Sequence, residues 1–465
     1  MRHKMSRLHF VGIGGIGMAG LAELLHQQGF RITGSDLKSG ATIRRLQDLG
    51  IPVALGHDGA SVGDAQAVVR SSAISADNPE LEAARRLGLP IVSRGALLAE
   101  LMRKKDGIAV AGSHGKTTTT AILAHLLDCA GLDPTAVVGG RVPRPGGFAS
   151  PVKLGAGDWL VAEVDESDGS FLWTRPALAV VTNVDPEHLD HYGDRETLLD
   201  AFTQFANGVP FWGAAVLGID HPGVMALLPR MSARRVTFGF AEAADLRIES
   251  VERIDRGQQF RARLPEGRRL LFRIPLPGRH NVLNATAAIA VGLELGIDPE
   301  RLADGLSTFP GVARRFETRG SHAGIEVVDD YAHHPAEVRA VLEAARSVHE
   351  GALTAVFQPH RFTRTRDCWA DFLHAFDAAD RVVIAEIYGA SEPPIEGIDA
   401  RRLAEAIREA GHPRADCGGP LSDIARNLPS TLSEGELVLT LGAGDIVDLG
   451  PRILARLESD RRETA

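Results

Sequence analysis

Short apolar runs alternate with helically spaced segments along most of the chain. RLHFVGIGG (7–15) reads as a strand running into a glycine turn, MAGLAELLHQQG (18–29) carries apolar residues at helical spacing, and FRITGSD (30–36) reads as a second strand. That is a βαβ unit. AQAVVRSSAI (65–74) and LPIVSRG (89–95) add short buried strands, so a first domain is expected to span 1–105. A second opens at 107–134 with an apolar strand, a small-residue turn and a helix that stops at Gly131, with Pro134 beyond it. DWLVAEVDESD (158–168) and ALAVVTNVDPEHLD (177–190) follow as buried strands with acidic ends. Between about 235 and 275 the pattern turns to period two, with Pro265, Glu266 and Gly267 as a hairpin turn, which predicts a small antiparallel insertion. Past Phe309, Pro310 and Gly311, a Pro/Gly-marked junction and expected hinge, IEVVDDYA, LTAVFQPH, RVVIAEIY and ELVLTLGAG again alternate with helical stretches. The expectation is an α/β chain of three domains, at 1–105, 106–313 and 314–465, with a mostly parallel central sheet.

Length and composition agree with this and exclude other classes. The chain has 465 residues, 44% hydrophobic and 24% charged, and no apolar stretch approaches the ~18 residues that span a bilayer. No signal-peptide pattern is seen, so a cytoplasmic protein without membrane insertion is expected. Its three cysteines, Cys129, Cys368 and Cys417, are far apart and in no CxxC pair, which argues against a disulfide framework or a thiolate metal site. A formal net charge of −9 and the lack of a dense basic block argue against nucleic acid.

Candidate chemistry clusters at strand ends. Gly12, Gly14, Gly15 and Gly17 lie between a strand and a helix, where glycine lets backbone N–H groups approach a diphosphate, and Asp36 ends the next strand where a carboxylate would meet ribose hydroxyls. Spacing alone does not separate NAD from a UDP-sugar. The run Gly112, Ser113, His114, Gly115, Lys116, Thr117, Thr118 is a phosphate loop with one departure: the first glycine of GxxxxGK would stand at Val110. In it Lys116 would meet the β/γ-phosphates and Thr117 a Mg²⁺ ion. Glu163 and Asp165 share one side of a strand end, and His188 closes the next; such groups suit a hard divalent cation. Tyr331, His333 and His334, and then His360, Arg361, Arg364 and Arg366, end two further strands. Arginine forks match carboxylates and phosphates.

HFVGIGGIGMAGLAELL, GSHGKTTTT, AEVDESDGSF, TNVDPEHLDHYGD, GRHNVLNA, GVARRFE, DDYAHHPAEVRA, FQPHRFTRTRD and LTLGAGD, in that order, resemble the Mur ligases of peptidoglycan synthesis over nearly the whole chain. The resemblance implies a Rossmann-like first domain for UDP, a central P-loop ATPase domain and a Rossmann-like C-terminal domain. It implies ATP-driven amide synthesis: the lactyl carboxylate of UDP-N-acetylmuramic acid takes the γ-phosphate, and an amino acid, L-alanine in the branch most resembled, displaces it. By the resemblance, Gly14, Gly15, Gly17, Asp36, Ser71 and Ser72 meet the UDP-sugar. Asn281, Arg314 and Asp330 join the ATP site, while Tyr331, His333, His360, Arg361 and Arg364 meet the amino acid and acyl group. Thr117, Glu163 and His188 hold metal, two Mg²⁺ ions being expected. Lys116, His188, His333 and Arg361 are the catalytic candidates. A monomer or homodimer is expected.

The resemblance has two departures. Several siblings carry a carbamylated lysine where about Phe202 stands here, and the alanine-adding branch is expected to lack it. Glu187 stands where an aspartate is common. The nearest rival is a recycling ligase that attaches a tripeptide to the same UDP-sugar. An NAD-dependent oxidoreductase would leave the phosphate loop without a purpose, and a silent UDP-sugar sensor would not need Lys116, Thr117, Glu163 and His188.

Overall fold

A computed structural model of the chain describes residues 5–144, 147–255, 257–390 and 392–464. The described residues form three sheets. The first runs, in spatial order, Val53–Leu55, Arg31–Asp36, Arg7–Val11, Ala67–Arg70, Ile91–Ser93, all pairs parallel. The chain order reverses beside Arg7–Val11, and at such a switch point the strand ends leave a crevice for ligands. The glycine turn opens there.

The second sheet has ten strands, in the order Arg269–Ile274, Gly257–Arg263, Leu246–Ile254, Arg235–Gly239, Ala214–Gly218, Leu178–Val181, Asp106–Ala111, Trp159–Glu163, Thr135–Arg144, Gly147–Lys153. Its central strands are apolar throughout because both faces are covered; Ile108, Val110, Val161, Val180 and Val216 are fully buried. Asp106–Ala111 pairs in parallel with Trp159–Glu163 on one side and Leu178–Val181 on the other, so the phosphate loop emerges between the two acidic strand ends.

Two features differ from the sequence expectation. Parallel pairing extends into the region read as antiparallel: Arg235–Gly239 runs parallel to Ala214–Gly218, and Phe238 aligns with Leu246 in the same sense. The hairpin around Gly267 does form, with φ +88 at the glycine and Leu264 N donating to Arg268 O at 2.8 Å. An antiparallel pair also forms from Thr135–Arg144 and Gly147–Lys153. Its strands carry glycine and proline in place of alternating apolar residues, which hides them from a periodicity reading.

The third sheet runs Glu317–His322, Ile325–Asp330, Leu437–Leu441, Leu353–Phe357, Arg381–Ala385, Ala415–Gly419, antiparallel only at the first pair. Its strands feed two cores by alternation: Val328, Phe357, Ile384 and Leu439 face one, and Val327, Val356, Val383 and Val438 the other.

By compactness the chain divides into two units. One comprises 1–250, 260–273 and 283–310; the other comprises 251–259, 274–282 and 311–465. The crossing after Pro310 falls at the Pro/Gly-marked junction, while the exchanges near 251, 260, 274 and 283 give the second unit short pieces that sequence reading had assigned wholly to the central domain. Among the described residues no helix is long and apolar enough to cross a membrane.

Candidate active site

The glycine turn is held from the neighbouring strand. Ser35 O accepts from Gly12 N at 2.9 Å and Ile13 N at 3.0 Å, and Asp36 Oδ2 accepts from Gly14 N at 2.8 Å. Asp36 therefore shapes the turn itself, and a Cβ on Gly14 would stand 2.7 Å from its carboxylate. Ser71, at the end of Ala67–Arg70, would be 3.3 Å from a Cβ on Gly12, and its Oγ accepts from Ala73 N at 3.3 Å. Ser72 follows it. Gly15 caps the helix Ile16–Gln27 with no side-chain cap, so amides at this end are left for a ligand oxygen.

Beneath the turn lies a polar cluster that sequence reading missed. Ser35 Oγ donates to the fully buried Glu80 at 2.6 Å and lies 3.0 Å from His57 Nδ1, while the buried His9 has its Nε2 3.6 Å from the same carboxylate. The hydrogen bonds and charges of His9, Ser35 and His57 outweigh burial and hold the Glu80 carboxyl below its ordinary range. His9 opens the HFVGIGG segment, but Ser35, His57 and Glu80 lie in none of the segments that carry the family resemblance.

The phosphate loop is fixed by contacts from the next strand end. His114 N donates to Asn183 Oδ1 at 2.7 Å, Asn183 Nδ2 to His114 O at 3.0 Å, Thr182 Oγ1 to His114 O at 2.7 Å, and Asp185 N to Ser113 Oγ at 2.8 Å. Gly112 and Gly115 have φ of +136 and +80. A Cβ on the first would collide with Thr182 Oγ1 and on the second with Asn284 Oδ1, so both positions require glycine. Val110, where a strict loop would have its first glycine, is a buried strand residue. His114 Nε2 lies 3.3 Å from Asp185 and 3.1 Å from Glu187; His221 Nε2 lies 3.2 Å from the other Asp185 oxygen. The two histidines hold the Asp185 carboxyl far below the usual range.

Lys116 and Thr117 open the helix Lys116–Cys129, with Thr118 buried behind them. Lys116 Nζ donates to Gly112 O, to Ser113 O at 3.1 Å and to Glu166 Oε1 at 2.9 Å. Burial disfavours its charge, but Glu166, Glu163 and Asp165 together outweigh that and hold the ammonium above the ordinary lysine range. Glu166 feels burial first, then Lys116 against it and Asp165 with it, and is pushed up to about 7. Glu166 lies in the same AEVDESD run as Glu163 and Asp165, the two acids that a strand reading places on one side. Strand alternation stops at Glu163, so the turn beyond it, not the strand, aims Glu166. Glu163 Oε2 instead accepts from Gly139 N at 2.7 Å.

Glu166 and His188 offer a carboxylate and an imidazole of the kinds that ligate a divalent cation. Glu166 Oε2 is buried without a hydrogen-bond partner, its Oε1 is 3.9 Å from His188 Nε2, and Thr117 follows Lys116 on the loop. His188 holds φ +58, the left-handed backbone that brings it back toward Glu166. Phe202 is fully buried and packs edgewise on Phe171 with ring centroids 5.2 Å apart, so it is core. Asn284, also missed, accepts from Thr119 Oγ1 at 3.2 Å beside Gly115.

In the second unit, Arg314 Nε donates to the buried Asp329 at 3.1 Å, and Asp330 accepts from Phe316 N at 2.7 Å and Ala332 N at 2.8 Å. Burial lifts Asp330 to about 6 despite Arg315 and these bonds. Asn281 Nδ2 donates to Pro277 O at 2.7 Å. Tyr331, His333, His360 and Tyr388 form a chain of rings, His333 to His360 at 6.0 Å and His360 stacked on Tyr388 at 5.5 Å; Arg314 lies 5.0 Å over Tyr331. Burial, with Arg364 nearby and against Glu337, lowers His333 to about 4. His333 Nδ1 lies 3.0 Å from Tyr331 O, which as donor leaves Nε2 as an acceptor. His334 caps the helix Pro335–Val348 in a capping box with Glu337. Arg364 Nη1 is 3.2 Å from His360 Nδ1, and Arg361, at φ +70, keeps half its side chain exposed. The second unit thus offers neutral imidazoles beside guanidinium groups.

Three adjoining sequence families match the chain: "Mur ligase family, catalytic domain" at 7–106, "Mur ligase middle domain" at 110–292 and "Mur ligase, glutamate ligase domain" at 314–444. The chain belongs to the Mur ligase family and is an enzyme of the acid–amino-acid ligase class. It is 50% identical over 457 residues to the UDP-N-acetylmuramate–L-alanine ligase of Anaeromyxobacter dehalogenans (strain 2CP-C), covering 98% of this chain and 99% of that protein. The protein of that description from Sorangium cellulosum (strain So ce56) is 49% identical, with 98% of each chain covered. Among solved structures, the UDP-N-acetylmuramate–alanine ligase of Thermotoga maritima matches with a TM-score of 0.85 and 30% identity, over 98% of this chain and 99% of that one.

Proposed function

We propose that this protein joins L-alanine to the lactyl carboxylate of UDP-N-acetylmuramic acid at the expense of ATP, through an acyl phosphate, releasing ADP and phosphate. The observation that carries the reading is the coexistence, in one compact unit, of two strand-end anion sites: the glycine turn at 12–17 and the phosphate loop with Lys116 against Glu166. One suits a nucleotide diphosphate and the other a triphosphate. Identity near 50% over the whole length to ligases of that description supports this choice of substrates.

In this reading the amides of Gly14, Gly15 and Gly17, with Asp36, Ser71 and Ser72, receive the UDP-sugar. Residues 112–118 receive the ATP phosphates; in the second unit, Asn281, Arg314 and Asp330 are the residues that the family resemblance assigns to ATP. Thr117, Glu163, Glu166 and His188 hold Mg²⁺, two ions in all, whose contribution is to neutralise the crowded phosphate oxygens. Lys116 adds charge stabilisation at the transferring phosphate. Arg361 and Arg364, with His360, receive the amino-acid carboxylate, and Tyr331 lines the acyl side. Neutral His333, with an Nε2 lone pair, accepts a hydrogen bond from the alanine amino group and so orients its nitrogen for attack. Chemistry of this kind belongs in the cytoplasm, where ATP and the UDP-sugar are found, and a monomer or homodimer suffices for it.

The test is phosphate release with Mg-ATP and UDP-N-acetylmuramic acid, comparing L-alanine, the tripeptide L-Ala-D-Glu-diaminopimelate and no acceptor. Release that requires L-alanine and yields the amide is expected. Release with the tripeptide alone would give the recycling reaction instead, and silence with all three would leave a UDP-sugar sensor.

A further inference from the structure

Arg94 is the first residue of the helix Arg94–Met102, which starts where the strand Ile91–Ser93 ends and is capped by Ser93 Oγ accepting from Ala96 N at 3.2 Å. Its side chain runs over the glycine turn. A Cβ on Gly17 would lie 3.2 Å from both Arg94 Cδ and Arg94 Nη1. A side chain at position 17 would press on that arginine, which ends at the first turn of the helix Ile16–Gln27.

A guanidinium is electrostatically misplaced there. Unpaired N–H groups give a helix N-terminus partial positive charge, and the first turn of neither Ile16–Gln27 nor Arg94–Met102 holds an acidic residue. The offset is one ion pair, Arg94 Nη2 to Asp165 Oδ2 at 3.0 Å. Its side chains are 25% and 40% exposed, so water competes for both, and pairs of this kind contribute little to stability. A cation set against two positive helix ends makes physical sense where an anion completes the arrangement. The same strand edge carries Ser71 and the amides after Gly15, so the anion such a cluster fits is a diphosphate.

We propose that Arg94 is a diphosphate-recognising residue of the UDP-sugar site. Its guanidinium fork receives non-bridging phosphate oxygens while the helix amides of the glycine turn receive the others. The proposal rests on the reading of the first domain as a UDP-sugar site. Asp165 is the resting partner that holds the fork near the turn until the substrate arrives.

The test measures binding of UDP by calorimetry and of uridine by ligand-observed NMR, to the full-length parent, Arg94→Met and Asp165→Asn. Methionine keeps an unbranched side chain over Gly17 and removes the fork. Arg94→Met is expected to weaken UDP by about 10- to 100-fold and leave uridine unchanged, since uridine has no phosphate to lose. Asp165→Asn is expected to leave UDP binding intact or tighten it. Equal UDP affinity in Arg94→Met and the parent would overturn the proposal. An equal loss for UDP and uridine would also overturn it, marking a distorted domain. So would an Asp165→Asn loss as large as that of Arg94→Met, which would make the ion pair the acting element. A parent that binds neither ligand would instead remove the UDP-sugar reading of the first domain, and the proposal with it.

Discussion

Lys116 Nζ donates to Glu166 Oε1 at 2.9 Å while also bonding the carbonyl oxygens of Gly112 and Ser113. The ammonium is therefore pre-positioned at the mouth of its own loop by a buried acid, and the loop carbonyls fix its direction. Catalysis by charge stabilisation depends on such preorganisation, because no reorganisation is then needed as charge develops. Lys116→Met is expected to lower turnover by about a hundred- to a thousandfold while UDP-sugar affinity, measured by calorimetry, stays within about twofold. Parallel loss of UDP-sugar affinity would mean that the glycine turn and the phosphate loop are not separate binding elements.

Glu166 tests the metal assignment separately. Glu166→Gln keeps an oxygen for Lys116 and removes the charge that a divalent cation requires. The Mg²⁺ concentration for half-maximal phosphate release should rise at least about tenfold, and the thermal midpoint should fall because the buried Lys116 ammonium loses its nearest charge. The same comparison for Glu163→Gln should give a smaller shift, since that carboxylate is already bonded to Gly139 N. A larger shift at Glu163 would reverse the order of the two acids.

Gly115 carries the geometric demand of the loop. Its φ of +80 and the nearness of Asn284 Oδ1 leave no room for a methyl group. Gly115→Ala should cost about 1–3 kcal/mol in backbone strain and contact and abolish ATP binding. Combining it with Asn284→Ala relieves the collision but not the strain, so partial recovery of stability is expected in urea unfolding. Full recovery would show that φ is not the constraint.

Much of this site was legible in the sequence because its residues sit in short strand-to-helix turns whose chemistry is local. The glycine turn, the phosphate loop and His188 announce themselves by composition and spacing. Glu166 and Arg94 do not. Each is aimed by a turn or helix start, and each acts on a group far along the chain: Glu166 on Lys116, fifty positions away, and Arg94 on Asp165, seventy-one positions away. Glu80, Ser35 and His9 were hidden for the same reason, as a cluster assembled from three strand or helix segments. The antiparallel pair Thr135–Arg144 and Gly147–Lys153 is illegible for another: its strands lack the alternation that marks a half-buried sheet.

Asp36 carries a prediction that the structure sharpens. Its carboxylate accepts from Gly14 N at 2.8 Å and Lys38 N at 3.2 Å, so removing it frees the turn as well as any ribose contact. Asp36→Ala should weaken the UDP-sugar by about tenfold or more and leave ATP affinity unchanged. Calorimetry showing the greater loss for ATP would mean that the first domain is misassigned.

The imidazoles of the second unit give a pH dependence with a definite sign. Burial, then His333, Arg364 and Arg361, against Glu392, lower the His360 pKa from 6.5 to about 3, and the ring stacks on Tyr388. Its folded value lies below its unfolded one, so between pH 6.5 and about 3 the unfolded chain binds the extra proton. The contribution is fully present above 6.5 and is lost progressively as pH falls through that window, and His333, lowered to about 4, adds in the same direction. His360→Phe keeps an aromatic stack on Tyr388 and removes the titration. The fall in thermal midpoint between pH 7 and pH 5 should therefore be shallower in His360→Phe than in the parent, while turnover at pH 8 falls because the ring no longer offers a nitrogen to the amino acid. An unchanged slope would mean that His360 is not held neutral by its surroundings, and the assignment of neutral imidazoles to the amino-acid side would lose its physical basis.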